Sequence, residues 1–328
     1  MTRGILATAI AVALAGGLAA AQQGAPASPQ HLPLAQRIVH YDPAKVRKSP
    51  AVHDGAGVMN IASLLENEHT DTNLWFLHRG NIPPKTGIGH HFHNNCEEMF
   101  IILDGEAQFT IDGHTALLKG PAGAPVRLGH SHAVYNATDK PVEWMNINVA
   151  AIKGVYDAFN LGDSRATAPL EPIATFMTLR LDRTLLRPIE ALNGGKGTVQ
   201  AGRALDANVF LGPWGYVDHL LIPPGASIGP ATDAEIGGFY YVLAGEGTVT
   251  VGSETAPIKA HDTVPLNFNQ TRAFEAAGTA PLELMAIGVV KDASRRIQIV
   301  GQNPYGGPGR GNTPTRGSAP GAAPSPQR

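Results

Sequence analysis

The chain has 328 residues, of which 43% are hydrophobic and 16% charged, with a formal net charge of -2. That length allows two cores of ordinary size. With no run of lysines or arginines, it carries no electrostatic footprint for a phosphate backbone, so nucleic acid is excluded as an expected partner.

In chain order, Met1-Thr2-Arg3 leads into the uncharged residues 5–18, and Ala19-Ala20-Ala21 precedes the polar Gln22-Gln23. This is the pattern of a secretory signal, too short to span a bilayer and cut after about residue 21. The expected location is periplasmic or secreted, with no stable membrane span after cleavage. Residues 22–50 lack periodicity and read as a linker. From residue 51 onward the apolar runs are four to eight residues long, β-branched or aromatic. Turn signals such as Asp104-Gly105, Asp112-Gly113, Ala244-Gly245 and Gly252-Ser253 close them, which predicts strands. The 38 glycines and 26 prolines agree with many short strands.

The runs recur at one offset of 140 residues, which places Gly105 on Gly245, Pro83-Pro84 on Pro223-Pro224 and Met145 on Met285. A duplication explains this. The predicted fold class is all-β, with two jelly-roll barrels in tandem, residues 51–155 and 205–292, since closure removes exposed strand edges. Between them, residues 156–204 are expected to wrap the barrels together, with strand-like alternation at 177–181 and a short helix at 183–192. Residues 301–328 are rich in Gly, Pro, Ser and Thr and read as a disordered tail. The single cysteine, Cys96, cannot pair within the chain and reads as a small buried hydrophobe.

The strongest local signal is residues 89–98, Gly-His-His-Phe-His-Asn-Asn-Cys-Glu-Glu. Strand alternation turns His91 and His93 to one face and Phe92 to the other. Glu98 follows on the next strand, and Gly129-His130-Ser131-His132 leads to Asn136. His91, His93, Glu98 and His132 are the candidate metal ligands, whereas His90 and His130 fall outside the pattern. In the second copy the same positions hold Ala231, Asp233, Gly238 and Arg272, so the repeat lacks a matching site. Asn146 and Asn148 share one strand face and become Ala286 and Gly288; they are candidate substrate contacts. Tyr240, Arg272, Asp218 and His219 are candidates for a pocket in the second barrel, where Arg272 would suit a carboxylate. Packing and dimer contact is the plainer role for that barrel.

The His-x-His, Glu and Gly spacing, followed by Gly, His and Asn, resembles the two motifs of the cupin superfamily, and the duplication resembles its bicupins. The proline usual just before the second glycine is replaced by Arg127. The resemblance implies one divalent transition metal, Mn, Fe, Cu, Ni, Co or Zn, with open coordination positions for a small-molecule substrate. It implies foremost a metal-dependent dioxygenase acting on a small oxygenated organic compound, with Glu98 also a candidate general base. Redox-neutral decarboxylase, isomerase or lyase chemistry is the alternative, and a non-enzymatic metal or small-ligand binding protein is a third reading. A homo-oligomer is compatible with any of these.

Overall fold

The structure, a computed structural model, describes residues 29–306; the predicted signal segment and most of the predicted tail lie outside the described residues. The architecture is two antiparallel β-barrels in tandem, each made of a seven-stranded sheet facing a smaller one. The first barrel sets strands Arg47–Pro50, Val58–Glu66, Leu74–Ile82, Cys96–Ile102, Ala122–Val126 and Val142–Ala150 against Thr86–Phe92, Glu106–Ile111, His114–Lys119 and Ser131–Asn136. The second repeats the plan with Arg187–Glu190 through Leu282–Val290. Gly105 and Gly245 take φ of 71° and 80°, the left-handed turn that ends the same strand in both copies and that glycine adopts without a Cβ penalty.

The strand Val142–Ala150 shows how alternation divides the core. Val142 and Trp144 point into the first barrel beside Phe100, Phe109 and Val134. Met145, Ile147 and Val149 point outward, into a shared cluster with Phe210, Trp214, Phe239, Tyr241 and Met285 of the second barrel. The two large sheets therefore pack back to back, and the strands between them are apolar on both faces. Asn146 and Asn148, on the inward face of Val142–Ala150, interrupt this pattern and are buried, as are Glu97 and Glu98 on Cys96–Ile102.

Short arms cross between the barrels. Val39–His40 adds to the edge of the second barrel's sheet beside Asp262–Leu266, while Leu179–Arg180 adds to the first barrel's sheet beside Ala122–Val126. Asp42 and Asp182 then each accept the backbone N–H two residues on, at 2.9 Å in both cases, starting matching 3-10 turns. The stretch assigned to a linker is thus, from residue 34, part of the fold. The boundary placed at 204/205 falls inside the strand Thr198–Leu205. The short helix expected over residues 183–192 is corrected: only Arg183–Leu185 turns, as a 3-10 helix, and Arg187–Glu190 is a strand paired with Thr198–Leu205. Pro188 accounts for this, since it has no N–H to donate and disfavours helical φ/ψ in the residue before it. The expected strand at 177–181 is present in its central residues. Among the described residues no helix is long and apolar enough to cross a membrane.

Candidate metal centre

Four side chains converge inside the first barrel. His91 lies on Thr86–Phe92 directly opposite His132 on Ser131–Asn136, as register partners. Glu98 comes from Cys96–Ile102 on the facing sheet, and His93 from the turn between those two walls. His132 Nε2 is 3.1 Å from His91 Nε2 and 3.3 Å from His93 Nε2, and the Glu98 carboxylate reaches within 3.5 Å of His93 Nε2 and 3.8 Å of His132 Nε2. The three histidines are 0% exposed and Glu98 2%.

The donor chemistry fits a cation. His91 Nδ1 is 2.8 Å from the Gly89 carbonyl and His93 Nδ1 is 2.5 Å from the Asp157 carbonyl. A carbonyl only accepts, so these protons sit on Nδ1 and the Nε2 lone pairs are bare. Burial pushes the His91 imidazole down to about 2, and the charges of His53 and His93 act the same way. Burial likewise holds His132 well below its ordinary value. The Nε2 atoms of His91 and His93 thus both turn toward His132 Nε2, at 3.1 and 3.3 Å, an arrangement that a positive ion among the three nitrogens would satisfy. Edges of this length suit donors about 2.0–2.2 Å from a common centre. The cluster is suited to one divalent metal.

The surroundings fix the ligands. Asn146 Nδ2 donates to Glu98 Oε1 at 2.7 Å and Asn148 Nδ2 to Glu98 Oε2 at 2.5 Å. Sequence reasoning offered these amides to a substrate; the structure turns them onto the carboxylate, and both amide oxygens are without a hydrogen-bond partner among the described residues. Phe100 stacks on His132 with centroids 4.3 Å apart, and His53 stacks on His91 at 3.7 Å. His53 Nδ1 pairs with Asn160 Oδ1 at 2.8 Å. Sequence reasoning did not single out His53. It also missed the covering segment: Phe159–Asn160 adds to the edge of Thr86–Phe92, and the Asp157 carboxylate accepts the Asn94 and Asn95 N–H groups at 3.1 and 3.0 Å. Tyr156 in the same segment stacks on Trp75 and lies 5.7 Å from the His93 ring.

The other singled-out residues fall elsewhere. His90 pairs with Ser131 Oγ at 2.8 Å and His130 with Asp112 at 2.6 Å, both outside the cluster. Cys96 is fully buried, and burial pushes its thiol up to about 12, so it stays protonated. In the second barrel, Asp218, Tyr240 and Arg272 line one cavity. His219 faces the other way and bonds to Glu283 at 2.7 Å.

Fold and site together define a metal-binding double β-barrel whose ligand set lies in the first barrel. The Cupin domain family matches residues 78–148 and again 218–288, one match in each barrel, which is a bicupin architecture. The chain is 27% identical over 113 residues to the oxalate-binding protein of Thermotoga maritima, a match covering 34% of this chain and 93% of that one. Among solved structures it resembles the oxalate decarboxylase of Lactobacillus farciminis in its formate complex, with TM-score 0.55 and 14% identity over 77% of this chain and 86% of that one. It also resembles the oxalate decarboxylase of Bacillus subtilis, with TM-score 0.52 and 14% identity over 78% and 76%. AerE from Microcystis aeruginosa gives TM-score 0.50 and 12% identity over 78% and 100%. At these identities the structural likenesses establish the fold.

Proposed function

We propose that this chain is a metal-dependent enzyme that binds a small organic acid in the first barrel and cleaves it without net oxidation, as in a decarboxylation. The observation that carries this reading is the seclusion of the three-histidine, one-carboxylate set, 0 to 2% exposed beneath the segment around Asp157. A substrate reaching the open positions there must be compact and must bring its own oxygen donors. Support comes from the relative named for oxalate binding and from the oxalate decarboxylases that share the fold; the Bacillus subtilis enzyme has Mn(II) centres.

When bound, a divalent ion would supply Lewis acidity to the oxygens of a chelating acid. The protein's part is orientation and exclusion. The carbonyls of Gly89 and Asp157 fix two imidazole tautomers, and Asn146 and Asn148 keep Glu98 aimed at the imidazoles. Phe100, His53 and the covering segment keep water from the reacting carboxylate, which strengthens every electrostatic contact inside. With both oxygens held by amide N–H groups, Glu98 serves as a ligand.

A dioxygenase acting on a planar phenol or enol is the second reading, favoured by the aromatic surface of Trp75, Phe76 and Tyr156 beside His93. One experiment separates them. The chain is loaded with Mn, Fe or Cu and incubated with oxalate, 2-oxo acids and phenols while CO₂ and dissolved O₂ are followed. Release of CO₂ without net O₂ uptake, lost in His132→Ala, is expected. Stoichiometric O₂ uptake would instead make it a dioxygenase, and tight binding with no turnover of any compound would make it a binding protein.

A further inference from the structure

The second barrel has not simply filled in where the metal set was lost. A cavity of about 290 Å³ occupies its interior, close to the lower end of the roughly 300–1,000 Å³ typical of small-molecule sites. Leu220, Ile228, Ile236, Phe274 and Ala286 form apolar walls. Arg272, the counterpart of His132, lies among them. Its Nε donates to the Tyr240 hydroxyl at 3.2 Å and its Nη1 to the Ala231 carbonyl at 2.9 Å. Both partners are neutral, and Nη2 has no partner among the described residues.

Of the other charges in the cavity, Asp218 is matched by an arginine, while Asp233 is held by backbone N–H groups and its charge also acts on Arg272 without forming an ion pair. Arg203 grips Asp218 through Nε at 2.7 Å and Nη2 at 3.2 Å, and the Tyr305 hydroxyl donates to the same carboxylate at 2.9 Å. The Asp233 carboxylate, also in the lining, accepts the N–H groups of Glu235 and Ile236, each at 2.9 Å. Arg272 is in no ion pair among the described residues. A half-buried guanidinium whose hydrogen bonds go only to neutral partners, facing a cavity with both polar and apolar walls, is placed to take a further anion, and its planar fork matches a carboxylate. Where Asn146 stands in the first barrel the second has Ala286, which leaves room for that counter-ion's body.

We propose that the second barrel is a metal-free site for a small monocarboxylic acid with an apolar or aromatic body, its carboxylate on Arg272 and its body against Ile228, Phe274 and Ala286. Residues 299–305 form the roof, as the Asp157 segment does over the first barrel, and Tyr305 closes it. This inference does not rest on the reaction assigned to the first barrel.

The test is calorimetric titration of the full metal-loaded chain with benzoate, acetate, oxalate and sulfate. Benzoate is expected to bind once per chain and more tightly than acetate or sulfate, and equally well to the His91→Ala/His93→Ala variant. Arg272→Gln should weaken it at least about tenfold, the effect of losing a charge-assisted pair, and Arg272→Lys less. Ala286→Leu keeps the guanidinium but narrows the cavity, so it should also weaken benzoate and decides the matter if Arg272→Gln does not fold. No benzoate binding at millimolar concentration would overturn the proposal. So would binding lost with the metal ligands and kept in Arg272→Gln, or sulfate binding as well as benzoate.

Discussion

The two barrels share a frame and differ in what they enclose. The first encloses His91, His93, Glu98 and His132; the second places Ala231, Asp233, Gly238 and Arg272 at the same steps of the same strands. Since the second barrel forms its sheets and core without the ligands, the fold depends on strand alternation and turns, and the histidines are kept for chemistry. The losses are also correlated. Where Glu98 becomes Gly238, the two amides that hold it, Asn146 and Asn148, become Ala286 and Gly288.

The sharpest way to break this comparison is to exchange the contents. His91→Ala/His93→Ala is expected to take the metal from one per chain to none, by elemental analysis, with the near-UV and far-UV spectra of the folded chain retained. The reverse exchange should fail. Restoring His, His, Glu and His at positions 231, 233, 238 and 272 gives no second ion, because a Cβ at Gly238 would sit 2.1 Å from the Ile287 carbonyl oxygen on a backbone with φ of +131°. The neighbouring support is blocked as well: a Cβ at Gly288 would meet the Tyr216 ring at 2.4 Å. A second bound metal in that variant would show that the lost site was a matter of four side chains alone.

A smaller change tests the supporting amides. Asn148→Ala leaves all four ligands and removes one of the two N–H groups that aim Glu98, so metal affinity should fall about 10- to 100-fold. Competition with a chelator measures this. Asn148→Asp should be worse, because it sets a second carboxylate against Glu98. An unchanged affinity in Asn148→Ala would return these amides to the role of substrate contacts that the sequence suggested.

The barrels are also joined asymmetrically. Glu97, whose counterpart is Gly237, is buried between them and accepts the N–H groups of Leu211 at 2.7 Å and Gly212 at 2.9 Å. Glu97→Ala strands both donors and should destabilise the chain by about 2–3 kcal/mol, read as a lower denaturant midpoint. Burial raises the Glu97 carboxyl above its ordinary value, with the two N–H bonds opposing. The native state therefore holds this proton more tightly than the unfolded chain, and this contribution to stability declines as pH rises through the carboxylate range.

Much of this was legible before the fold was known, and what was not has physical reasons. The ligands could be read because strand alternation puts His91 and His93 on one face whatever surrounds them. The arms could have been read further. The offset of 140 continues through Asp42 and Asp182, Ala51 and Ala191, Gly55 and Gly195, and Gly57 and Gly197. These are turn residues in arms whose own strands, Val39–His40, Arg47–Pro50, Leu179–Arg180 and Arg187–Glu190, have only two to four residues, too short to show a period. That each arm joins the other barrel is a tertiary fact with no local signal. The cover over the metal centre was hidden because Asp157 reaches His93 through its backbone carbonyl, which any residue could supply. The spacing of Asn146 and Asn148 gave their face, but it could not say whether the amides met a substrate or a ligand carboxylate.

The last test lies at one more pair of equivalent positions. Glu143 meets Arg79 at 3.3 Å with its side chain more than a third exposed. Glu283 is nearly buried and accepts from His219 at 2.7 Å and from Arg183. Burial alone would raise the Glu283 carboxyl, but the hydrogen bonds from His219 and Arg183 outweigh it and bring the group from 4.5 down to about 2. A carboxyl lower in the native state than in the unfolded chain stabilises the fold above its unfolded value, and that stabilisation is lost as pH falls through the native one. Glu283→Gln should therefore be less stable than the parent at pH 7. The gap should close between about pH 4.5 and pH 2, where the parent's carboxyl also takes up its proton. Urea unfolding of both proteins across that range would measure it. A gap that stayed constant with pH would mean that Glu283 acts through shape and hydrogen bonding, with its charge contributing nothing.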